Sequence, residues 1–251
     1  MIKINLSKSI LANLATSLNA LCGFISIVYA SQNDFQLSAL FIFFAAFFDL
    51  SDGLIARMTK SSSQFGVELD SLADVVSFGA APSFLIYKTY FLHYGFWGIL
   101  LSSVLLIFGA FRLARFNVQL EDITKKNDFV GLPIPFQAIT IAAIVLFFFN
   151  GNSFTKFFDA TLIPIAMLLS FLMVSNIRYN AFPKFKYMSS LNKYLITILS
   201  LIALLLIYYT NGVAFFYLLV INILWGIFRY LFNLIFNSNS SINLKEKTNK
   251  V

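Results

Sequence analysis

Long apolar stretches recur along the whole chain and limit its fold more than any other feature. We distinguish eight, at residues 11–30, 36–57, 70–90, 95–116, 133–150, 160–177, 193–210 and 213–234. A helix needs about 20 residues to cross a bilayer, and only helices or closed barrels satisfy their backbone there. The stretches are continuous rather than alternating in polarity, which favours helices. The pattern therefore predicts an all-α membrane protein with a bundle of about eight transmembrane helices.

The composition agrees with this prediction and excludes other classes of protein. Hydrophobic residues make up 59% of the 251 residues and charged residues 12%, whereas soluble domains have roughly 25% charged residues. An ordinary soluble enzyme or a disordered chain is therefore excluded. We expect one transmembrane domain over residues 1–237 and a polar cytoplasmic tail over residues 238–251, which are rich in Asn, Ser and Lys.

Lysine and arginine fall almost entirely on one side of the predicted bundle. If the N-terminus is inside, all of the 18 cations except Lys88 and Lys156 lie in inner segments. Cytoplasmic loops of membrane proteins carry such an excess of Lys and Arg. We therefore expect an N-in and C-in topology with an even number of spans. Because this asymmetry accounts for the net charge of +7, we expect no nucleic-acid partner.

Four aspartates interrupt two of the apolar stretches. Asp49 and Asp52 are three residues apart in the second stretch, and Asp70 and Asp74 are four apart at the start of the third. Each spacing places the pair on one helical face. A charge near the bilayer centre costs about 2.5–3.5 kcal/mol, so four carboxylates need countercharge. The spacing predicts a site for divalent cations, which prefer oxygen ligands; a proton or cation relay in an ion-coupled transporter is the alternative.

Small residues and one arginine lie between the two aspartate pairs. Gly53, Ala56 and Gly66 would let a bulky ligand approach the backbone, and Arg57 is a cation suited to a diphosphate. Small residues alone also serve helix–helix packing. Together with the carboxylates, however, they favour a pocket for a metal-bound nucleotide diphosphate.

Residues 49–74 resemble the signature of the CDP-alcohol phosphatidyltransferase family. The signature reads D-x2-D-G-x2-A-R-x8-G-x3-D-x3-D, and every fixed position is filled here. The resemblance implies a bundle of membrane helices, commonly a homodimer, with two divalent metal ions, Mg²⁺ or Mn²⁺, beside the CDP group. It also implies an enzyme of the cell membrane whose active site faces the cytoplasm.

The resemblance also implies a role for each residue of the signature. The aspartates would be metal ligands, namely Asp49, Asp52, Asp70 and Asp74. Of these, Asp74 matches the position that serves the family as general base. The remaining fixed positions would line the cytidine and the diphosphate, and these are Gly53, Ala56, Arg57 and Gly66.

Further segments resemble one branch of the family, the integral-membrane phosphatidylserine synthases of bacteria and archaea. They are residues 69–82, 111–118 and 129–135, and the first apolar stretch is also similar to that branch. The implied reaction transfers the phosphatidyl group from CDP-diacylglycerol to the hydroxyl of L-serine and releases CMP. Glycerol 3-phosphate or inositol phosphate is the alternative acceptor within the family, and its extra phosphate would require more cations around the pocket.

Two polar groups outside the signature are further candidates for the site. Arg112 and Arg115 are three residues apart and close to Asn117, and they could bind serine or a phosphate. The two arginines could instead anchor their helix at the headgroups. Asn13 and Thr16 could bond the cytosine or a phosphate, or they could bond between helices.

Overall fold

A computed structural model describes residues 6–59, 63–121, 131–177, 179 and 190–248. Many of the cations used to predict the topology, among them Lys60, Lys125 and Arg178, lie outside the described residues. The N-in and C-in orientation therefore stays a prediction.

The described part of the chain is helical, with no strand beyond one isolated antiparallel bridge between Phe149 and Phe154. Its α-helices are α1 (Leu6–Ser31), α2 (Phe35–Thr59), α3 (Gln64–Asp74), α4 (Ala81–Thr89), α5 (Gly95–Glu121), α6 (Ile134–Phe148), α7 (Lys156–Val174), α8 (Ser190–Tyr209) and α9 (Val213–Thr248). A π-helical segment (Val75–Ala80) joins α3 to α4, and a 3-10 turn (Phe91–Tyr94) precedes α5. The predicted all-α class is confirmed.

Six helical segments are long and apolar enough to cross a membrane. They are Ile10–Ser31, Phe35–Met58, Gln64–Thr89, Phe91–Val118, Lys156–Val174 and Val213–Ile235. Two shorter apolar helices, Ile134–Phe148 and Ile196–Tyr209, lie where the fifth and seventh spans were predicted. The structure thus supports a membrane protein with several spans, while the number eight stays a prediction.

The chain forms two compact units. The first comprises Met1–Asn127 and Leu132–Ser175, and the second comprises Asp128–Gly131 and Asn176–Val251. In the second unit, α9 continues as a helix past the predicted start of the tail at residue 238 and ends at Thr248. The division at residue 237 rests on composition and stays a prediction. Every candidate site residue lies in the first unit.

Side-chain caps set the ends of the helices that carry the aspartates. Asp34 accepts a hydrogen bond from the backbone N–H of Leu37 (3.1 Å) and so begins α2. Ser63 accepts one from the N–H of Gly66 (3.0 Å) and caps α3. Because of this cap, α3 begins at Gln64 rather than at residue 70, where the apolar pattern starts. Asp70 and Asp74 therefore lie on one short helix, as their spacing predicted.

The π-helical segment begins directly after Asp74 and packs against α1. Its Ser77 donates a hydrogen bond to the main-chain oxygen of Asn19 (2.8 Å). A Cβ atom at Gly23 would lie 2.6 Å from the Cα of Ser77, so only glycine allows the two backbones this approach. Isolated π turns occur frequently at functional sites, and this one follows the last aspartate of the signature.

Replacing Gly23 with Ala should therefore destabilise the first unit. The added methyl group meets backbone rather than a mobile side chain, and overpacking of this kind costs about 1–3 kcal/mol. Thermal unfolding in detergent should show a melting temperature several degrees lower. Ser17→Ala, an exposed substitution on the same helix, serves as the control. An unchanged melting temperature for Gly23→Ala would contradict the close packing of α1 on the π-helical segment.

Candidate active site

Three of the four aspartates of the signature converge at one point. Asp49 of α2 and Asp70 and Asp74 of α3 each offer a carboxylate oxygen, and these oxygens all lie within 4.8 Å of one another. Asp74 is buried, and Asp49 and Asp70 are half-buried. The structure thus brings together carboxylates from two helices, as the paired spacing predicted. We call Asp49, Asp70 and Asp74 the carboxylate cluster.

Asp52 lies next to this cluster but makes a different contact. Its Oδ2 accepts a hydrogen bond from the hydroxyl of Thr16 on α1 (2.8 Å), and the residue is 6% exposed. It is not one of the three residues whose oxygens meet within 4.8 Å. Of the two possibilities for Thr16, a bond between helices is therefore present, although Thr16 also lines the cavity described below.

Asn19, which the sequence did not single out for the site, holds Asp74. Its Nδ2 donates to Oδ1 of Asp74 at 3.2 Å, and Asn19 is fully buried. The signal that could have revealed it is weak: an amide three residues after Thr16 in an apolar helix, which is also common at plain helix contacts. Its role depends on the approach of α1 to α3, which no sequence pattern specifies.

The carboxylate cluster fits a divalent metal ion. Oδ1 of Asp70 is buried and has no hydrogen-bond partner among the described residues. Three carboxylates this close repel one another unless a cation or protons compensate them. Carboxylate oxygens are the ligands that Mg²⁺ and similar hard cations prefer. The donor set and the unsatisfied oxygen therefore agree with the metal site that the sequence predicted.

The two predicted arginines of α5 make different contacts in the structure. Arg112 is half-buried and interacts electrostatically with Asp74 and Asp49, and its Nε is buried without a hydrogen-bond partner in the described part of the chain. Arg115 instead donates to the main-chain oxygens of Val174 (2.8 Å) and Met173 (3.4 Å) at the end of α7. One arginine thus interacts with the carboxylate cluster, while the other caps a helix.

Asn117 forms a reciprocal pair with a serine of α3. Its Nδ2 donates to the hydroxyl of Ser71 at 2.9 Å, and that hydroxyl lies 3.2 Å from Oδ1 of Asn117. Ser71 directly follows Asp70, so the pair ties the end of α5 to the helix that carries two of the clustered carboxylates. This contact positions α3, and Asn117 therefore reaches the aspartates only through the helix that carries them.

A cavity of about 110 Å³ opens beside the aspartates and is lined by α1, α2 and α3. Its lining includes almost all the residues predicted to hold the nucleotide, together with two of the aspartates. The full lining is Ala12, Asn13, Thr16, Asp52, Gly53, Ala56, Ser63, Gly66, Val67 and Asp70. Arg57 does not line it and is exposed on α2. A Cβ atom at Gly66 would lie 3.3 Å from Oδ1 of Asn13, so glycine there keeps the cavity open.

The sequence matches a known protein family over more than half of its length. The model of the CDP-alcohol phosphatidyltransferase family covers residues 9–172. The chain belongs to this family. The matched range contains all four aspartates, the cavity and both arginines of α5. The chain is therefore an enzyme, because the members of this family are phosphatidyltransferases. This membership argues against the alternative hypothesis of an ion-coupled transporter.

Several curated relatives in this family carry names that mention serine. The chain is 37% identical over 237 residues to a CDP-diacylglycerol–serine O-phosphatidyltransferase of Helicobacter pylori, covering 91% of this chain and 95% of the relative. A protein of the same name from Bacillus subtilis is 37% identical over 167 residues, which are 66% of this chain and 87% of the relative. An archaetidylserine synthase of Methanothermobacter thermautotrophicus is 36% identical over 171 residues, 67% and 69% of the two chains.

Proposed function

We propose that the chain transfers the phosphatidyl group of CDP-diacylglycerol to the hydroxyl of L-serine, forming phosphatidylserine and CMP. The observation that supports the chemistry is the carboxylate cluster, which lies next to a cavity lined by the residues of the family signature. The choice of serine is supported by the names of the relatives, of which the Helicobacter pylori protein matches this chain nearly end to end.

Four aspartates are proposed to hold two divalent metal ions, Mg²⁺ or Mn²⁺. Asp49, Asp70 and Asp74 supply the clustered oxygens, and Asp52 supplies a carboxylate at the edge of the cavity. When bound, such ions neutralise the diphosphate and stabilise the charge on the departing phosphate. Thr16 keeps the Asp52 carboxylate in place through its 2.8 Å hydrogen bond.

The cavity is proposed to receive the CDP group. Gly53, Ala56 and Gly66 let the nucleotide approach the backbone of α2 and α3, while Asn13 and Thr16 present polar atoms from α1. At about 110 Å³ the cavity is smaller than a typical pocket of about 300–1,000 Å³, so it accommodates part of the nucleotide. The exposed Arg57 is suited to a phosphate that extends out of the cavity.

The chemical step is proposed to be a direct displacement at phosphorus. The serine oxygen forms a bond to the phosphorus that bears diacylglycerol, the bond from that phosphorus to the CMP oxygen breaks, and CMP leaves. Asp74 accepts the proton of the serine hydroxyl as general base, and Asn19 orients its carboxylate. The single histidine, His93, lies in the 3-10 turn at the opposite end of α5 from Arg112, so it is not available as an alternative base.

The remaining predicted residues have different proposed roles. Arg112 binds serine or a phosphate, because it interacts electrostatically with the carboxylate cluster and has an unused donor. Arg115 and Asn117 act on α7 and α3 through the contacts described above and so shape the serine side of the site without requiring contact with the substrate.

The membrane context follows from the family and from the charges of the sequence. We propose that the protein resides in the cell membrane as a homodimer, with the aspartates facing the cytoplasm. This orientation places the site at the side that carries most lysines and arginines, in keeping with the predicted N-in topology.

An acceptor assay tests the proposed function directly. Membranes containing the protein receive CDP-diacylglycerol and one labelled alcohol at a time: L-serine, glycerol 3-phosphate or inositol phosphate. We expect lipid labelling and CMP release with serine, at a rate at least about tenfold above that with either phosphorylated alcohol, because each good polar contact is worth about a factor of ten. Efficient use of a phosphorylated alcohol with no serine incorporation would overturn the assignment.

A further inference from the structure

We propose that Asn19 and Arg112 form a recognition site for a zwitterionic amino acid, in which Asn19 binds the ammonium group and Arg112 binds the carboxylate. The inference rests on the proposed function and names the residues by which the same site would select serine. It assigns to Asn19 a role in binding the substrate, in addition to its hydrogen bond with Asp74.

The free atom of the Asn19 amide is an acceptor. The Asp74 carboxylate can only accept hydrogen bonds, so the Asn19 atom that faces it at 3.2 Å must be the donating Nδ2. Oδ1 is then left for another donor, and it is buried with no partner among the described residues. A buried polar atom without a partner is costly. An ammonium group, which carries three donors, would satisfy it.

The position of this acceptor is fixed by packing on both sides. The main-chain oxygen of Asn19 accepts a hydrogen bond from Ser77 (2.8 Å), and Gly23 lets the two backbones meet one turn further along α1. Asn19 is therefore held between Asp74 and the π-helical segment. In serine the amino and hydroxyl groups stand on adjacent carbons, so an ammonium group bound at Asn19 brings the hydroxyl close to the proposed base.

Arg112 supplies the complementary donor. It lies on α5, interacts electrostatically with Asp74, and has a buried Nε that no described residue uses. Guanidinium groups bind carboxylates with paired donors. An unused acceptor on α1 and an unused donor on α5 thus belong to two residues that both interact with Asp74. A ligand with an ammonium and a carboxylate on one carbon satisfies both, whereas glycerol 3-phosphate has no ammonium group for Asn19.

The test compares acceptors that each lack one charged group. Full-length protein in detergent micelles with CDP-diacylglycerol is assayed with L-serine, with 3-hydroxypropionate, which lacks the ammonium, and with ethanolamine, which lacks the carboxylate. In Asn19→Ala, we expect the kcat/KM preference for serine over 3-hydroxypropionate to fall at least about tenfold, and the preference over ethanolamine to change less than about threefold. Arg112→Gln should give the opposite pattern.

These ratios separate recognition from a purely structural role. Misplacement of Asp74 slows all acceptors alike and leaves both preferences unchanged, so unchanged preferences in Asn19→Ala would overturn the inference while the proposed function stands. A wild-type protein that uses glycerol 3-phosphate and not serine would overturn both.

Asn19→Ser, which keeps a smaller polar group, provides the same ratios if Asn19→Ala does not fold. Ser26→Ala, a buried polar change on α1 that only breaks a 3.0 Å contact with Ser38, is the matched control and should leave both preferences unchanged.

Discussion

Asp74→Asn should lower kcat for phosphatidyl transfer by about a thousandfold, within the 10²–10⁴-fold range that general bases contribute. The amide has nearly the same shape as the carboxylate but cannot accept the proton of the serine hydroxyl. Asn19 donates to Asp74 at 3.2 Å and can still donate to the amide oxygen, so the buried side chain keeps its place. The rate of CMP release from CDP-diacylglycerol at saturating serine is the direct measurement.

Binding of the lipid substrate distinguishes this explanation from a general loss of structure. The nucleotide cavity includes Asp52 and Asp70 but not Asp74, so Asp74→Asn should keep part of its affinity for CDP-diacylglycerol. Asp159→Asn, an exposed change in the first turn of α7, is the matched control and should retain wild-type turnover. Full activity of Asp74→Asn would refute the role of Asp74 as base.

Asp70→Ala should abolish the binding of CDP-diacylglycerol that depends on divalent metal. The substitution removes one carboxylate of the cluster, including a buried oxygen that no described residue contacts. Even a change in a residue that only supports a metal ligand costs about 10–100-fold in affinity, so loss of a ligand should cost at least as much. Titration with Mn²⁺ followed by electron paramagnetic resonance reports the metal affinity independently of turnover.

A neighbouring acidic residue provides the comparison for this experiment. Glu68 lies on the same helix, α3, but is exposed and does not belong to the carboxylate cluster. Glu68→Ala should therefore titrate with Mn²⁺ as the wild type does. If Asp70→Ala showed the same Mn²⁺ titration as Glu68→Ala, a ligand role for Asp70 would be ruled out.

The local parts of the site could be predicted from the sequence because they depend on helical periodicity. The spacing of Asp49 and Asp52, and of Asp70 and Asp74, is a property of any helix that contains them. The cost of placing charges in apolar spans then required that the two pairs meet a countercharge. The cluster of Asp49, Asp70 and Asp74 agrees with that prediction, whereas the start of α3 at Gln64 depended on the Ser63 cap, which apolar periodicity does not reveal.

Contacts between helices that are far apart in the sequence could not be predicted from helical periodicity. Periodicity placed Arg112 and Arg115 on similar faces of α5, yet Arg112 interacts with the aspartates and Arg115 caps α7. Asp52 was grouped with the other aspartates, yet Thr16 of α1 binds it at the edge of the cavity. In both cases the partner lies on a helix far away in the sequence, and a pattern within one helix does not indicate which neighbour it will meet.

The sequence by itself determined that this protein is a helical membrane protein of a phosphatidyltransferase family, because apolar length, charge cost and a fixed signature act within short segments. Only the tertiary structure decided that Asn19 holds Asp74 and that Arg112 keeps an unused donor. Both depend on how closely the backbones approach, as where Gly23 allows α1 to touch the π-helical segment. Such an approach results from packing across helices, which the order of residues within one helix does not specify.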